Sequence, residues 1–245
     1  MKVEVLLTAA EAEVADVAER TVVVIDVLRA TSTMVEALAN GVREIYPTSS
    51  TDEALRLASS LGREDTLLCG ERKGLMMEGF DLGNSPREFD RERVGDKRLV
   101  MNTTNGTPAF VSVENATRVY AGSLMNLRAV SRAIVDGSPE SLVVVCAGRA
   151  GRLSLDDLLC AGLILRRIGE DISDVSEAND AARMARNLAE SIEPSLDFLS
   201  KTDSGRMLHE LGFDDDLVLC GEVDRHDLVP TMVDRSIALD HQSGG

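Results

Sequence analysis

The chain has 245 residues, of which 42 are acidic and 26 basic, giving a net charge of −16. That balance argues against nucleic acid or an anionic membrane as partner. A hydrophobic content of 44% supports a sizeable core, and no apolar run approaches the ~20 residues of a membrane span.

Met1-Lys2 leads directly into a short strand pattern, Val3–Leu7, rather than a signal peptide, so a cytoplasmic protein is expected. Val22–Asp26 follows as a β-branched run that reads as a buried strand. Directly after it come Asp26-Val27-Leu28-Arg29-Ala30-Thr31-Ser32-Thr33, offering a carboxylate, a guanidinium and three hydroxyls. Further strands are predicted at Glu44–Tyr46, Thr66–Cys69, Arg98–Met101, Arg118–Tyr120, Leu142–Cys146 and Leu217–Cys220. Helices are predicted at Thr33–Ala39, Thr51–Leu61, Thr107–Val113, Leu124–Asp136, Leu155–Ile168, Ser176–Leu188 and Gly205–Leu211. The alternation predicts an α/β protein of three layers, α/β/α, with a mostly parallel or mixed sheet. Gly70 to Lys97 reads as one long functional loop. Leu68-Cys69-Gly70-Glu71 echoes Leu219-Cys220-Gly221-Glu222, which leaves room for two similar subdomains with a boundary near 120–140 inside one domain spanning 1–245.

Cys69, Cys146 and Cys220 end apolar runs and Cys160 lies in a helical pattern, so all four read as buried hydrophobes. His209, His226 and His241 form no ligand pair, and zinc is not expected. Lysines are only four, Lys2, Lys73, Lys97 and Lys201, a bias that fits either a salt-rich cytoplasm or a GC-rich genome.

Four polar segments follow predicted strands: Asp26–Thr33, Gly70–Gly74 with Gly79–Pro86, Asn102–Pro108, and Cys146–Arg152 with Ser154–Asp157. In a parallel sheet their strand ends share one edge, so they are expected to converge on one crevice. Thr103–Thr107 reads as an oxyanion cradle or as an ordinary capped turn, and Ser154 as an N-cap. Asp26, Glu71, Asp81, Asp156 and Asp157 supply carboxylates of the kind that share a Mg²⁺ with water and substrate oxygens. Arg29, Arg72 and Lys73 supply cationic donors, and Arg149 and Arg152 read as substrate contacts or as solvated charges. No P-loop and no G-x-G-x-x-G is present, and Leu28 stands where a D-x-D phosphatase would carry its second acid.

These segments, with Ser204-Gly205-Arg206 and Asp224 through Val229-Pro230, resemble the 2-phosphosulfolactate phosphatase (ComB-type) family in order, from about Val3 to Pro230. One departure is Asp156, where the family often has Glu. The resemblance implies a Mg²⁺-dependent acid phosphatase that converts 2-phospho-3-sulfolactate to 3-sulfolactate and phosphate in coenzyme M biosynthesis. Family members also occur where that pathway is not expected, so a related small anionic phosphomonoester is an open substrate. The expected catalytic residues are Asp26, Glu71 and Arg29, and the expected metal ligands Asp26, Glu71, Asp156 and Asp157. Expected substrate contacts are Thr31, Ser32, Arg72, Lys73, Asn84, Ser85, Thr104, Asn105, Gly106, Thr107, Gly148 and Arg149. Rival readings are a non-catalytic anion-binding protein and a phosphotransferase. The first is disfavoured because several carboxylates around an anion repel it. A homo-oligomer is left open.

Overall fold

The computed structural model describes residues 1–239. In chain order the elements are β1 (Lys2–Leu6), α1 (Ala9–Val14), β2 (Thr21–Ile25), α2 (Ala30–Ala39), β3 (Glu44–Pro47), α3 (Thr51–Leu61), β4 (Thr66–Arg72) and β5 (Leu75–Met76). Then follow α4 (Arg91–Val94), β6 (Arg98–Asn102), α5 (Gly106–Ser112), β7 (Arg118–Gly122), α6 (Leu127–Gly137), β8 (Ser141–Cys146) and α7 (Leu155–Asp171). The chain continues with β9 (Ser176–Glu177), α8 (Asp180–Ser191), α9 (Leu196–Lys201), α10 (Asp203–Glu210), α11 (Asp214–Cys220), β10 (Pro230–Val233) and β11 (Ser236–Leu239).

One sheet of eleven strands runs in the order β5-β4-β6-β3-β11-β10-β7-β2-β8-β1-β9. Alternation in the strands sorts side chains to its two faces. Val23 and Ile25 of β2 pack with α6, α7 and α8, whereas Val22 and Val24 pack with α1, α2 and α5. Leu68 and Val100 pack against Ala54 and Ala58 of α3. The strand cores are apolar on both faces, as expected for strands covered by helices. Each fully buried Val or Ile contributes roughly 1.5–3 kcal/mol.

The strand directions differ from a simple parallel edge. β3, β6 and β4 are mutually parallel, and β7, β2, β8, β1 and β9 are mutually parallel. Between these blocks lies the β10–β11 hairpin, antiparallel to β7 on one side and to β3 on the other. Three successive antiparallel pairings leave the two blocks pointing in opposite directions. The joints are narrow: Thr231 and Met232 register with Tyr120 and Val119, and Ile237 alone registers with Ile45. The loops after β2, β8, β4 and β6 nevertheless line one cavity. The four segments converge on one cavity although the two strand blocks run in opposite directions.

Several local expectations are corrected. Leu217–Cys220 is the end of helix α11, not a strand. A four-residue apolar run cannot decide between the two, and here three acids, Asp214, Asp215 and Asp216, open a helix. The Leu-Cys-Gly-Glu echo thus falls once at a strand and once at a helix end and marks no repeated element. The long loop from Gly70 contains the rest of β4, the β5 hairpin strand, a 3-10 turn at Pro86–Glu88 and α4. Ser176 begins β9, and the helix starts at Asp180, capped by Asn179.

Candidate active site

Asp26 ends β2 just where α2 begins. Its Oδ1 accepts the Ala30 N–H at 3.2 Å, and its backbone carbonyl accepts the Thr31 N–H at 2.9 Å. Thr31 Oγ1 donates to the Asp26 carbonyl and accepts the Asp26 N–H, while Ser32 Oγ donates to the Val27 carbonyl at 2.8 Å. These hydroxyls stitch the loop to the helix. Thr31 and Ser32 are fully buried and do not line the cavity, which corrects the expectation that they bind substrate. Asp26 Oδ2 takes no hydrogen bond among the described residues.

Glu71 and Asp157 act as pins. Glu71 Oε1 accepts the Thr104 N–H and its Oε2 the Gly74 N–H, both at 2.7 Å. Asp157 Oδ1 accepts the Val27 N–H at 2.8 Å and its Oδ2 the Gly148 N–H at 3.0 Å. Each carboxylate joins two loops that ring the cavity. Asp156 sits beside Ser154, whose Oγ donates to its Oδ1 at 2.6 Å and lies 3.2 Å from Ser204 Oγ. Ser154 does stand at the N-cap position of α7, but its hydroxyl serves Asp156 rather than the helix.

Burial, then the nearby Asp156 and Glu71 charges, push the Asp26 carboxyl up to about 7, against the pull of the Ala30 N–H and Arg29. Burial also raises Asp156 and Asp157, and for Asp157 the neighbouring Asp156 and Asp26 charges add to it. Three buried acids in one site thus hold their protons more tightly than free carboxyls do.

Glycines admit close approach at two points. A Cβ on Gly106 would lie 2.6 Å from Asp26 Oδ2, so only glycine lets α5 start against that carboxylate. Gly148 has φ +69, and a Cβ there would lie 2.5 Å from the Arg152 carbonyl oxygen.

The cavity holds about 400 Å³. It is lined by eleven of the expected residues: Asp26, Arg29, Glu71, Lys73, Asn84, Thr104, Asn105, Gly148, Arg149, Asp156 and Asp157. The side chains of Lys73 and Arg149 make no hydrogen bond or ion pair to protein among the described residues. Asn84 is 5% exposed, and its Oδ1 is buried without a partner. Six expected residues do not line it. Thr31 and Ser32 are explained above. Arg72 turns to the Glu71 carbonyl and Asn102 Oδ1, and Ser85 Oγ donates to Asp216. Gly106 lies behind Asp26, and Thr107 exchanges hydrogen bonds with Thr103. Arg152 is exposed outside the lining, and Asp81 pairs with Arg63 and holds the Leu68 N–H.

The sequence reading missed one wall. Ser204, Met207 and Glu210 of α10, with Leu211, complete the cavity beside Leu28, Gly74, Ala150 and Ser154. The Ser204-Gly205-Arg206 motif was the one signal for that wall. The four cysteines are buried and free, and burial pushes every thiol up, Cys220 to about 12. His209 pairs with Asp214 on the surface and His226 with Glu36. His241 lies outside the described residues.

Among the described residues no group of three or more His, Cys, Asp or Glu is arranged as a metal cage. Mg²⁺ needs none, since one or two carboxylates with water and substrate oxygens suffice. Asp26, with its free Oδ2, fits that requirement best. Asp156, held by the hydroxyls of Ser154, Thr202 and Ser204 rather than by backbone of two loops, is its nearest partner acid. Glu71 and Asp157, already holding two backbone N–H groups each, fit it less well.

Comparison with known proteins shows the family of the chain. Residues 6–235 match the family model described as 2-phosphosulpholactate phosphatase. A relative from Caldanaerobacter subterraneus subsp. tengcongensis is 40% identical over 218 residues, 89% of each chain. One from Clostridium beijerinckii is 34% identical over 240 residues, 98% of this chain and 100% of its own. One from Thermotoga petrophila is 40% identical over 215 residues, 87% of this chain and 89% of its own. All three are named "Probable 2-phosphosulfolactate phosphatase". An α/β fold with a carboxylate pair and unpaired cations in one cleft is thus that of a phosphoric monoester hydrolase. The chain belongs to the 2-phosphosulfolactate phosphatase family. No helix of the described residues is long and apolar enough to cross a membrane.

Proposed function

We propose that this protein is a Mg²⁺-dependent phosphatase that hydrolyses 2-phospho-3-sulfolactate, or a related small anionic phosphomonoester, to the alcohol and phosphate. The observation that carries the reading is the shared cavity of Asp26 and Asp156 with Arg29, Lys73 and Arg149. Carboxylates alone would repel such a substrate, and cations alone would merely bind it.

Asp26 and Asp156 would hold the Mg²⁺, which when bound neutralises phosphate charge and polarises the P–O bond. Arg29 would bind phosphoryl oxygens, its guanidinium matching two of them at once. Lys73 and Arg149 would take the carboxylate and sulfonate of the substrate. Glu71 and Asp157 fix the loops so that these groups need not reorganise during the reaction. Water would add to phosphorus as the ester P–O bond breaks, and the proton the water loses balances the one the leaving oxygen gains to become the alcohol.

The test is phosphate release from 2-phosphosulfolactate and a panel of phosphomonoesters, with Mg²⁺ or with EDTA. Metal-dependent release is expected, fastest with small polyanionic substrates. Absence of metal-dependent release from every substrate overturns the reading, and tight phosphate binding without turnover would favour an anion-binding protein.

A further inference from the structure

We infer that Asp216 is a positioning residue that fixes the Arg29 guanidinium for the phosphoryl group, an inference that rests on the phosphatase reading above. The two residues stand 187 positions apart and meet with Arg29 Nη1 donating to Asp216 Oδ2 at 2.6 Å. The other oxygen, Asp216 Oδ1, accepts from Ser85 Oγ at 2.6 Å. Both partners of the ion pair are sealed from solvent, with side chains 2% and 1% exposed.

Two more contacts limit how the guanidinium can turn. Arg29 Nη2 donates to the Gly74 carbonyl at 2.7 Å. The Phe213 ring covers one face, its centroid 4.5 Å from the guanidinium carbon. The Asp216 N–H itself donates to the Phe213 carbonyl at 3.0 Å, so ring and carboxylate are parts of one turn. Arg29 nevertheless lines the cavity, and its remaining N–H groups have no protein partner among the described residues.

Stability alone does not account for this arrangement. Desolvating two charges costs about as much as their attraction returns, and apolar residues of similar size often do as well. A sealed pair is useful where one member must present a charge in a fixed direction. Asp216 does this without lining the cavity itself, while Gly74 and Phe213 close off other orientations. The same carboxylate holds Ser85, whose neighbour Asn84 lines the cavity with an unpartnered Oδ1. Asp216 thereby ties α11 to two loops of the site, although it does not itself line the cavity.

The test compares Asp216→Asn, Asp216→Glu and Ser85→Ala in the full chain, with folding checked by circular dichroism and thermal melting. Inorganic phosphate affinity is read by calorimetry with Mg²⁺ present, and kcat and KM are read on the best substrate. Asp216→Asn should weaken phosphate binding about tenfold and lower kcat/KM further, the scale of a lost hydrogen bond to a charged group. Asp216→Glu should recover part of the loss, and Ser85→Ala should weaken phosphate by a smaller factor. In an Arg29→Lys background, Asp216→Asn should add less than about twofold, because its target has already moved. A folded Asp216→Asn protein with unchanged phosphate affinity and kcat/KM overturns the inference, as do fully additive losses in the Arg29→Lys background. Should Asp216→Asn not fold, an unchanged phosphate affinity in Ser85→Ala overturns it instead. If the wild type binds phosphate but turns over no phosphomonoester, the phosphatase reading fails while the calorimetry still decides the role of Asp216. A wild type that neither binds phosphate nor turns over a phosphomonoester overturns both, and one that turns over ester without measurable phosphate binding leaves kcat/KM of the same variants to decide.

Discussion

Asp157 Oδ1 accepts the backbone N–H of Val27 at 2.8 Å, so a carboxylate on α7 holds the loop that carries Asp26. Its other oxygen holds Gly148 at 3.0 Å. Removing the side chain in Asp157→Ala leaves two buried N–H groups without partners, at about 1–3 kcal/mol each, offset by relief of a carboxylate that burial disfavours. The net expectation is a lower melting temperature together with lost activity, measured by calorimetry and phosphate release. An unchanged melting temperature would show that the two loops are held by other contacts.

Asp26→Asn should abolish metal-dependent turnover while leaving the fold, since it keeps the shape and the Ala30 contact but loses the charge. It also tests a pH effect. The Asp26 carboxyl is raised from 3.8 to about 7. The folded chain therefore binds this proton more tightly than the unfolded chain, and the resulting stability is complete below about pH 4 and lost as pH rises through about 7. Without Mg²⁺, the wild type should lose melting temperature across that window through this group. The Asn variant should show a shallower slope, and an equal slope would remove Asp26 as its source.

Added Mg²⁺ should reverse that loss. A cation beside Asp26 and Asp156 favours their charged forms, and a ligand at 100 times its Kd stabilises by about 2.7 kcal/mol. The wild type above pH 7 should melt at higher temperature with Mg²⁺ than with EDTA. Asp156→Asn should lose most of that difference, and retention of all of it would place the ion elsewhere.

Lys73→Ala and Arg149→Ala should raise KM more than they lower kcat, because both side chains face the cavity without protein partners. Each change should be about tenfold or less at low ionic strength and should shrink with added salt. A loss confined to kcat would assign these residues to the transition state instead.

Thr31→Val should behave in the opposite way to Lys73→Ala. The hydroxyl is buried in contacts to Asp26 backbone atoms, so its loss should cost about 1–3 kcal/mol of stability. Substrate KM should change little in the folded fraction, as checked by kinetics at low temperature beside a denaturant melt.

Residue types and their order along the chain determined the local parts of this protein. β-branched runs such as Val22–Ile25 specify strands whose side chains alternate between two cores, and the bounds of α3, Thr51–Leu61, follow from its cap and apolar spacing. The polar segments after β2, β4, β6 and β8 were legible as site material because a strand end cannot leave so many polar groups without a purpose. Individual roles were not legible. Whether a hydroxyl faces a cavity or a neighbouring carbonyl depends on where another segment lies, which is why Thr31, Ser32, Ser85 and Thr107 proved internal. Only the tertiary structure turned the two parallel blocks against each other, since the hairpin that reverses them pairs through long-range contacts with no local signal. Only it brought Asp216 from α11 to Arg29, for the same physical reason: a buried ion pair is specified by packing between distant segments, while Leu217–Cys220 by itself reads equally as strand or helix.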